Sequence, residues 1–139
     1  MDCIFCSIIE KKIESSFVYE DDLVIAIMDL FPATEGHVLV IPKSHSELVT
    51  GLADEYVERM FKAGKSISAG MRKTGFKLEA VSFVLSDGKS AGQEIPHAHL
   101  HLIPRYSGDG IGFRFGSKLK FTRNQLDVTA AEIKSNIEN

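Results

Sequence analysis

Pro96-His97-Ala98-His99-Leu100-His101-Leu102-Ile103-Pro104 is the stretch on which both fold and chemistry turn. The chain holds five histidines, and three of them fall here at alternate positions. On an extended strand successive side chains point to opposite faces, so His97, His99 and His101 share one face and Ala98, Leu100 and Leu102 the other. The apolar face can pack into a core while the imidazoles line a surface. Imidazole changes charge near neutral pH, ligates metals, contacts phosphate and acts as a nucleophile. The same alternation also suits one shared three-histidine metal site, or histidines with separate structural roles.

Working outward, the chain reads as strands, one long helix, then strands again. Ile4 to Lys12 has helical spacing at Phe5, Ile8 and Ile9. Phe17-Val18-Tyr19-Glu20 reads as a strand, Asp21-Asp22 as a turn, and the apolar run Leu23 to Met28 as a buried strand. His37 to Ile41 is a further strand, ended by Pro42. Asp54 to about Thr74 is the long helix: Tyr56, Val57, Met60, Phe61, Gly64, Ile67 and Met71 recur at steps of three and four. Gly75 stands where a C-terminal cap belongs. Ala80 to Leu85 alternates as a strand and Asp87-Gly88 turns. After Arg105 the chain changes character, with Gly108, Gly110, Gly112 and Gly116 marking an irregular segment. Thr129-Ala130-Ala131-Glu132 has the form of a capping box before a short terminal helix. This order predicts an α+β fold, an antiparallel sheet of about five strands with one long helix and a short C-terminal helix, over a single domain spanning 1–139.

At 139 residues the chain can bury one substantial core. Apolar residues are 44% and charged residues 25%, with a net charge of −3, which points to neither a nucleic-acid polymer nor an anionic membrane as partner. No apolar run is long enough to span a bilayer. The opening Met1-Asp2-Cys3 lacks the basic stretch and apolar core of a secretory signal, so a cytoplasmic location is expected. Cys3 and Cys6 form a C-x-x-C pair, which in a reducing compartment reads as half a metal site or a redox pair. Two free buried thiols are the plainer alternative, and the βαβ pattern that accompanies a redox pair is absent.

The alternating His-Ala-His-Leu-His-Leu-Ile run resembles the signature of the histidine triad (HIT) family. The likeness extends through Cys3-Ile4-Phe5-Cys6, Val18-Tyr19-Glu20-Asp21, Met28-Asp29, Gly36-His37-Val38-Leu39-Val40-Ile41-Pro42-Lys43-Ser44-His45 and Ala91-Gly92-Gln93. Residues 108–139 lie outside it and receive no role from it. The resemblance implies that His99 attacks a nucleotide α-phosphate, that a nucleotidyl-histidine forms, and that water hydrolyses it. His101 is then the neighbouring phosphate contact. Asp29 corresponds to the carboxylate that holds the ribose hydroxyls, where a turn-forming role is the alternative. Phe5, Ile8, Ile27 and Leu30 match positions that sandwich the base, and equally suit a plain core. Ser86, Gly92, Gln93 and Glu94 match the phosphate-binding loop.

The branch of the family carrying C-x-x-C resembles a zinc-binding one, whose other ligands match His45 and His97. Two thiolates and two imidazoles would make a closed, structural zinc site. Glu94 departs from relatives that carry serine or threonine there. An ionised carboxylate repels phosphate. It must therefore be protonated, turn away, or select a cationic or amine leaving group. His37 matches a position that supports the nucleotide site from behind, while Lys43 and Arg105 at strand ends could touch phosphate or stay solvated. Family members pair as homodimers through the long helix and a strand, and Ala63 and Gly64 would let helices approach closely. The function implied is a nucleotide hydrolase acting on purine nucleoside phosphoramidates or dinucleoside polyphosphates. The alternatives are a nucleotidyl transferase, a nucleotide-binding scaffold with weak turnover, and a metalloenzyme built on all three histidines.

Overall fold

The computed structural model describes residues 2–138. Five strands form one antiparallel sheet: β1 (Phe17–Glu20), β2 (Val24–Met28), β3 (Val38–Pro42), β4 (Ala80–Val84) and β5 (Leu100–Arg105), in the spatial order β1-β2-β3-β5-β4. Side-chain alternation on the central strands sorts residues onto two faces. Val24, Ala26, Val38, Val40, Leu100 and Leu102 point toward the long helix α2 (Asp54–Met71), which contributes Met60, Ala63, Ile67 and Met71. Ile25, Ile27, Leu39 and Ile41 point the other way, where the short helix α1 (Ile4–Ile9) adds Phe5 and Ile8. The α+β antiparallel architecture expected from the element order is the one observed.

The sheet is tightened at the β1–β2 turn. The Asp21 carboxylate accepts bonds from the Leu23 and Val24 amides at 2.8 and 2.9 Å and from the Tyr19 hydroxyl at 2.6 Å, and Arg59 of α2 lies 3.0 Å away.

Several local expectations are corrected. The triad does not lie within one strand: β5 begins at Leu100, and His97 and His99 precede it. The β3–β5 ladder ends at the pair Val40↔Leu100. Continuing it would bring Ala98 opposite Pro42, which has no N–H to offer. The Ala98 amide instead donates to the Ser46 carbonyl at 2.7 Å.

Helix α2 ends at Met71 rather than near Thr74. Its C-cap is Arg72 in a right-handed conformation, so Gly75 is no left-handed cap. Phe61 is exposed instead of joining the apolar stripe. Gly64 and Ala63 face the chain's own sheet, not a partner helix: a Cβ on Gly64 would meet Phe83 at 3.2 Å and Leu100 and Leu102 at 3.4 Å.

The described residues fall into two compact units, one ending at Asp109 and one beginning at Gly110. The second contains α3 (Arg123–Ser135), whose capping box is Thr122 with Gln125. Thr129 therefore sits inside the helix, where its hydroxyl donates to the Gln125 carbonyl at 3.1 Å, and does not open it. Among the described residues, no helix is long and apolar enough to cross a membrane.

Candidate active site and metal cluster

His99 sits at the entry to β5, 8% exposed, in a T-shaped contact with the Phe5 ring at a centroid distance of 5.0 Å. Its Nδ1 lies 2.7 Å from the His97 carbonyl oxygen. A carbonyl can only accept, so Nδ1 carries the proton and Nε2 keeps a bare lone pair. Burial pulls this imidazole below its ordinary range. The His97 carbonyl and the charges of Asp29 and Glu94 oppose that pull without reversing it. A neutral ring with Nε2 unprotonated and Nδ1 held as a donor is the form a nucleophilic imidazole needs.

His101 is fixed by a different chain of bonds. The Ala33 amide donates to His37 Nδ1 at 3.0 Å, which places the proton of His37 on Nε2. That Nε2 lies 2.9 Å from His101 Nδ1 and donates to it. The remaining His101 proton is therefore on Nε2. Burial, with His99 and His37 adding to it, pushes His101 down to about 4, so the ring is neutral at physiological pH and still a donor. His37 is also lowered by burial, against the pull of Asp29, whose Oδ2 lies 3.5 Å from its Nε2. His99 and His101 stand side by side with centroids 4.9 Å apart. One offers a lone pair and the other an N–H, which suits attack at an electrophile beside stabilisation of a developing anion.

His97 faces away into a separate cluster. Its Nε2 donates to the Pro42 carbonyl at 2.8 Å, leaving Nδ1 bare. That Nδ1 lies 3.4 Å from Cys3 Sγ, 3.7 Å from Cys6 Sγ and 3.0 Å from His45 Nδ1, and Cys6 Sγ lies 3.4 Å from His45 Nδ1. All four ligand atoms lie within 4.8 Å of one another. Tetrahedral zinc with Zn–S of about 2.3 Å and Zn–N of about 2.0–2.1 Å places sulfur and nitrogen about 3.5 Å apart. The donor set and its edges thus fit a metal ion. Burial, the Cys3 contact and the charges of Cys3 and Glu10 push the Cys6 thiol up to about 11, so that thiol resists ionising without a cation beside it. The three histidines consequently do not form one metal site. His97 groups with Cys3, Cys6 and His45, His101 groups with Asp29 and His37, and His99 belongs to neither.

The other sequence-derived residues are placed unevenly. Asp29 follows β2, its Oδ1 accepting the Phe31 amide at 2.9 Å. Phe5, Ile8 and Ile27 are buried in the core cluster beneath the site, whereas Leu30 is 83% exposed. Ser86, Gly92 and Glu94 border the loop that leads to the triad, and Gly92 adopts a left-handed conformation with φ of 96°. Gln93 is buried with its amide spent internally: it accepts from the Gly88 amide and donates to the Glu47 and Ile95 carbonyls. Lys43 pairs with Glu20 at 3.0 Å and Arg105 with Asp109 at 2.9 Å. The His37 link to His101 was not readable from strand periodicity, because the Ala33 amide that sets its tautomer is brought there by the turn after β2.

Comparison with known proteins agrees with this geometry. Residues 10–108 match the HIT domain. The chain is 42% identical to an uncharacterized HIT-like protein of Borreliella burgdorferi over 137 residues, covering 98% of this chain and 99% of that one. It is similar to a crystal structure of a HIT family member from Bacillus subtilis, with a TM-score of 0.92, 35% identity and coverage of 100% of this chain and 99% of the other. It is also similar to a zinc-bound histidine triad family protein from Mycobacterium smegmatis, with a TM-score of 0.77, 34% identity and 97% coverage of each chain. The chain therefore belongs to the histidine triad family.

Proposed function

We propose that this protein is a nucleotide hydrolase that cleaves at the α-phosphate through a nucleotidyl group carried on His99. The observation that carries the reading is the 2.7 Å bond from His99 Nδ1 to the His97 carbonyl, which leaves Nε2 free to attack. Nε2 forms a bond to phosphorus as the bond to the leaving group breaks. His101 Nε2–H donates to a phosphoryl oxygen as charge develops. Water then attacks the phosphorus and the N–P bond breaks, releasing a nucleoside monophosphate and restoring His99. Asp29 would accept the ribose hydroxyls. Phe5, Ile8, Ile27 and the projecting Leu30 would shape the purine pocket. Ser86 and Gly92 would border the phosphates, with Gln93 holding their loop in place. Passing the same intermediate to an acceptor other than water would make the protein a nucleotidyl transferase.

The cluster of Cys3, Cys6, His45 and His97 would hold zinc as a structural ion, joining the N-terminal helix to the segment that carries His99. A homodimer would form through α2 and the edge strand β4, where Phe61 and Phe83 are exposed. The cytoplasm, where thiolates stay reduced, suits such a site.

Brief exposure to adenosine 5′-phosphoramidate followed by rapid acid-free mass spectrometry tests the mechanism. The expected product is one nucleoside monophosphate on His99, with a loss in kcat of at least about 10³-fold in His99→Ala. An adduct elsewhere, or full turnover by His99→Ala, overturns it.

A further inference from the structure

Phe5 links the cysteine pair to the nucleophile. It stands in the first turn of α1, between Cys3 and Cys6 in the sequence. Its buried ring makes T-shaped contacts with two members of the triad, His97 at a centroid distance of 5.7 Å and His99 at 5.0 Å. The turn that carries it is capped by sulfur: the Cys6 amide donates to Cys3 Sγ at 3.4 Å. Where Phe5 sits against His99 therefore depends on what the two cysteines do.

Cys3 and Cys6 are free thiols and only half-buried, so a small molecule in solvent can reach them. Their Sγ atoms lie within 4.8 Å of each other. Cβ atoms three residues apart on a helical turn stand about 5–6 Å apart, whereas a disulfide holds its Cβ atoms about 3.5–4.5 Å apart. Joining the two sulfurs thus draws the first turn of α1 together and removes its cap. It also leaves His45 and His97 as two imidazoles, half of a tetrahedral ligand set. His97 itself stays anchored, because its Nε2 donates to the Pro42 carbonyl at 2.8 Å. Its carbonyl, which fixes the tautomer of His99, does not depend on the cysteines. The change reaches the nucleophile through Phe5.

We infer that Cys3 and Cys6 form a reversible redox switch on the nucleotide pocket: a hydroperoxide converts them to a disulfide, the four-residue ligand set opens, and the tightened turn of α1 moves Phe5 off His99. This inference rests on the zinc-site and nucleotide-pocket readings above. One thiolate attacks the outer oxygen of the hydroperoxide, the O–O bond breaks, and an alcohol or water leaves. The second thiolate attacks the resulting sulfenic sulfur, its S–O bond breaks, and water leaves. In sum two thiolates give up two electrons, the hydroperoxide accepts them together with two protons from solvent, and a disulfide remains. A thiol reductant reverses the step by exchange.

The test treats the zinc-loaded full chain with hydrogen peroxide and follows four quantities: intact mass, zinc released to a chromogenic chelator, Kd for AMP, and the NMR signals of the His99 ring. The expected mass loss is about 2 Da, with Cys3 and Cys6 joined in the peptide map and zinc released in step. Kd for AMP should rise on the order of tenfold, the size of one aromatic contact. The His99 carbon-bound ring protons should shift as the Phe5 ring leaves, while Nδ1 stays protonated. A thiol reductant with added zinc should restore all four. Cysteines that remain thiols, or that gain oxygen without joining, overturn the inference while zinc stays bound and AMP binding is intact, and leave both earlier readings standing. A disulfide that changes neither Kd nor the His99 signals overturns it as well. So does an oxidised chain that has lost its far-UV signal, because the whole fold rather than Phe5 has then given way. A chain that takes up no zinc overturns the zinc-site reading, and a reduced chain that binds no AMP overturns the nucleotide reading; either takes this inference with it.

Discussion

Two clusters of ionisable groups flank His99, and they are built on opposite principles. On one side Cys3, Cys6, His45 and His97 turn their sulfur atoms and ring nitrogens toward a common point, with His97 Nδ1 and His45 Nδ1 only 3.0 Å apart. Sulfur and nitrogen lone pairs crowd around that point, and a cation there would accept all four. On the other side Asp29, His37 and His101 lie as close together, but each ring nitrogen that faces a neighbour is matched to a donor or acceptor. That chain is closed and needs nothing added. The same residue type is thus fitted to ligate a metal, to attack as a nucleophile or to donate a hydrogen bond according to what its second nitrogen faces. For His97 it is the Pro42 carbonyl, for His99 the carbonyl of His97, and for His101 the Nε2–H of His37.

The largest effect should come from breaking the open cluster. Cys3→Ser should lose the bound metal measured by elemental analysis, and its melting temperature should fall by about 10 °C or more, because metal binding is coupled to folding. Chelation of the unsubstituted chain should lower the melting temperature in the same direction. Undiminished zinc in Cys3→Ser would remove that cysteine from the ligand set. In the closed cluster a smaller, more local loss is expected. His37→Phe removes the donor to His101 Nδ1, so His101 no longer presents Nε2–H in a fixed tautomer. Adduct formation should slow by about 10²-fold, the size of one positioned proton donor, with zinc content unchanged. Nitrogen NMR should find His101 in one tautomer in the unsubstituted chain and in a mixture in His37→Phe. A single unaltered tautomer in the variant would break the comparison.

How much of this was legible in the sequence depended on how local the cause was. The strands β1 to β4 and the body of α2 follow from residue periodicity, since the period of two or 3.6 decides which side chains share a face. The start of β5 was not legible, because it depends on the missing amide of Pro42 on a neighbouring strand. Thr129-x-x-Glu132 and Thr122-x-x-Gln125 both fit a capping pattern, and nothing local ranks one above the other; the structure uses the second. Gly64 was recognisable as a site of close approach, but not which surface approaches it. Spacing marks Cys3 and Cys6 as half of a possible metal site, but only resemblance to a family adds His45 and His97, as no spacing within the chain joins them to the cysteines. The His37–His101 bond depends on an amide four residues before His37 meeting its ring across a turn, and periodicity carries no such information.

The smallest expected effect is on pH dependence, and it separates the clusters without substituting a cysteine. His101 is held at about 4, from an ordinary value of 6.5, first by burial and then by His99 and His37. The unfolded chain takes up that proton near 6.5, while the folded chain resists until about 4. Between these values the unfolded state binds more protons, so stability rises with pH; the contribution is complete above the unfolded value and is lost as pH falls toward 4. Urea unfolding should accordingly show a loss on the order of 2 kcal/mol between pH 7 and pH 4 that is traceable to this ring. His101→Gln should flatten that segment of the curve, and the ring proton of His101 should titrate in NMR near 4. Release of a metal held by the other cluster would also destabilise the fold in acid, since thiolates and imidazoles must be deprotonated to bind. It is distinguished by zinc appearing in solution, whereas titration of His101 proceeds with the metal retained. If the His101 ring titrates near its ordinary value instead, the chain through His37 is not closed in solution and the contrast between the clusters collapses.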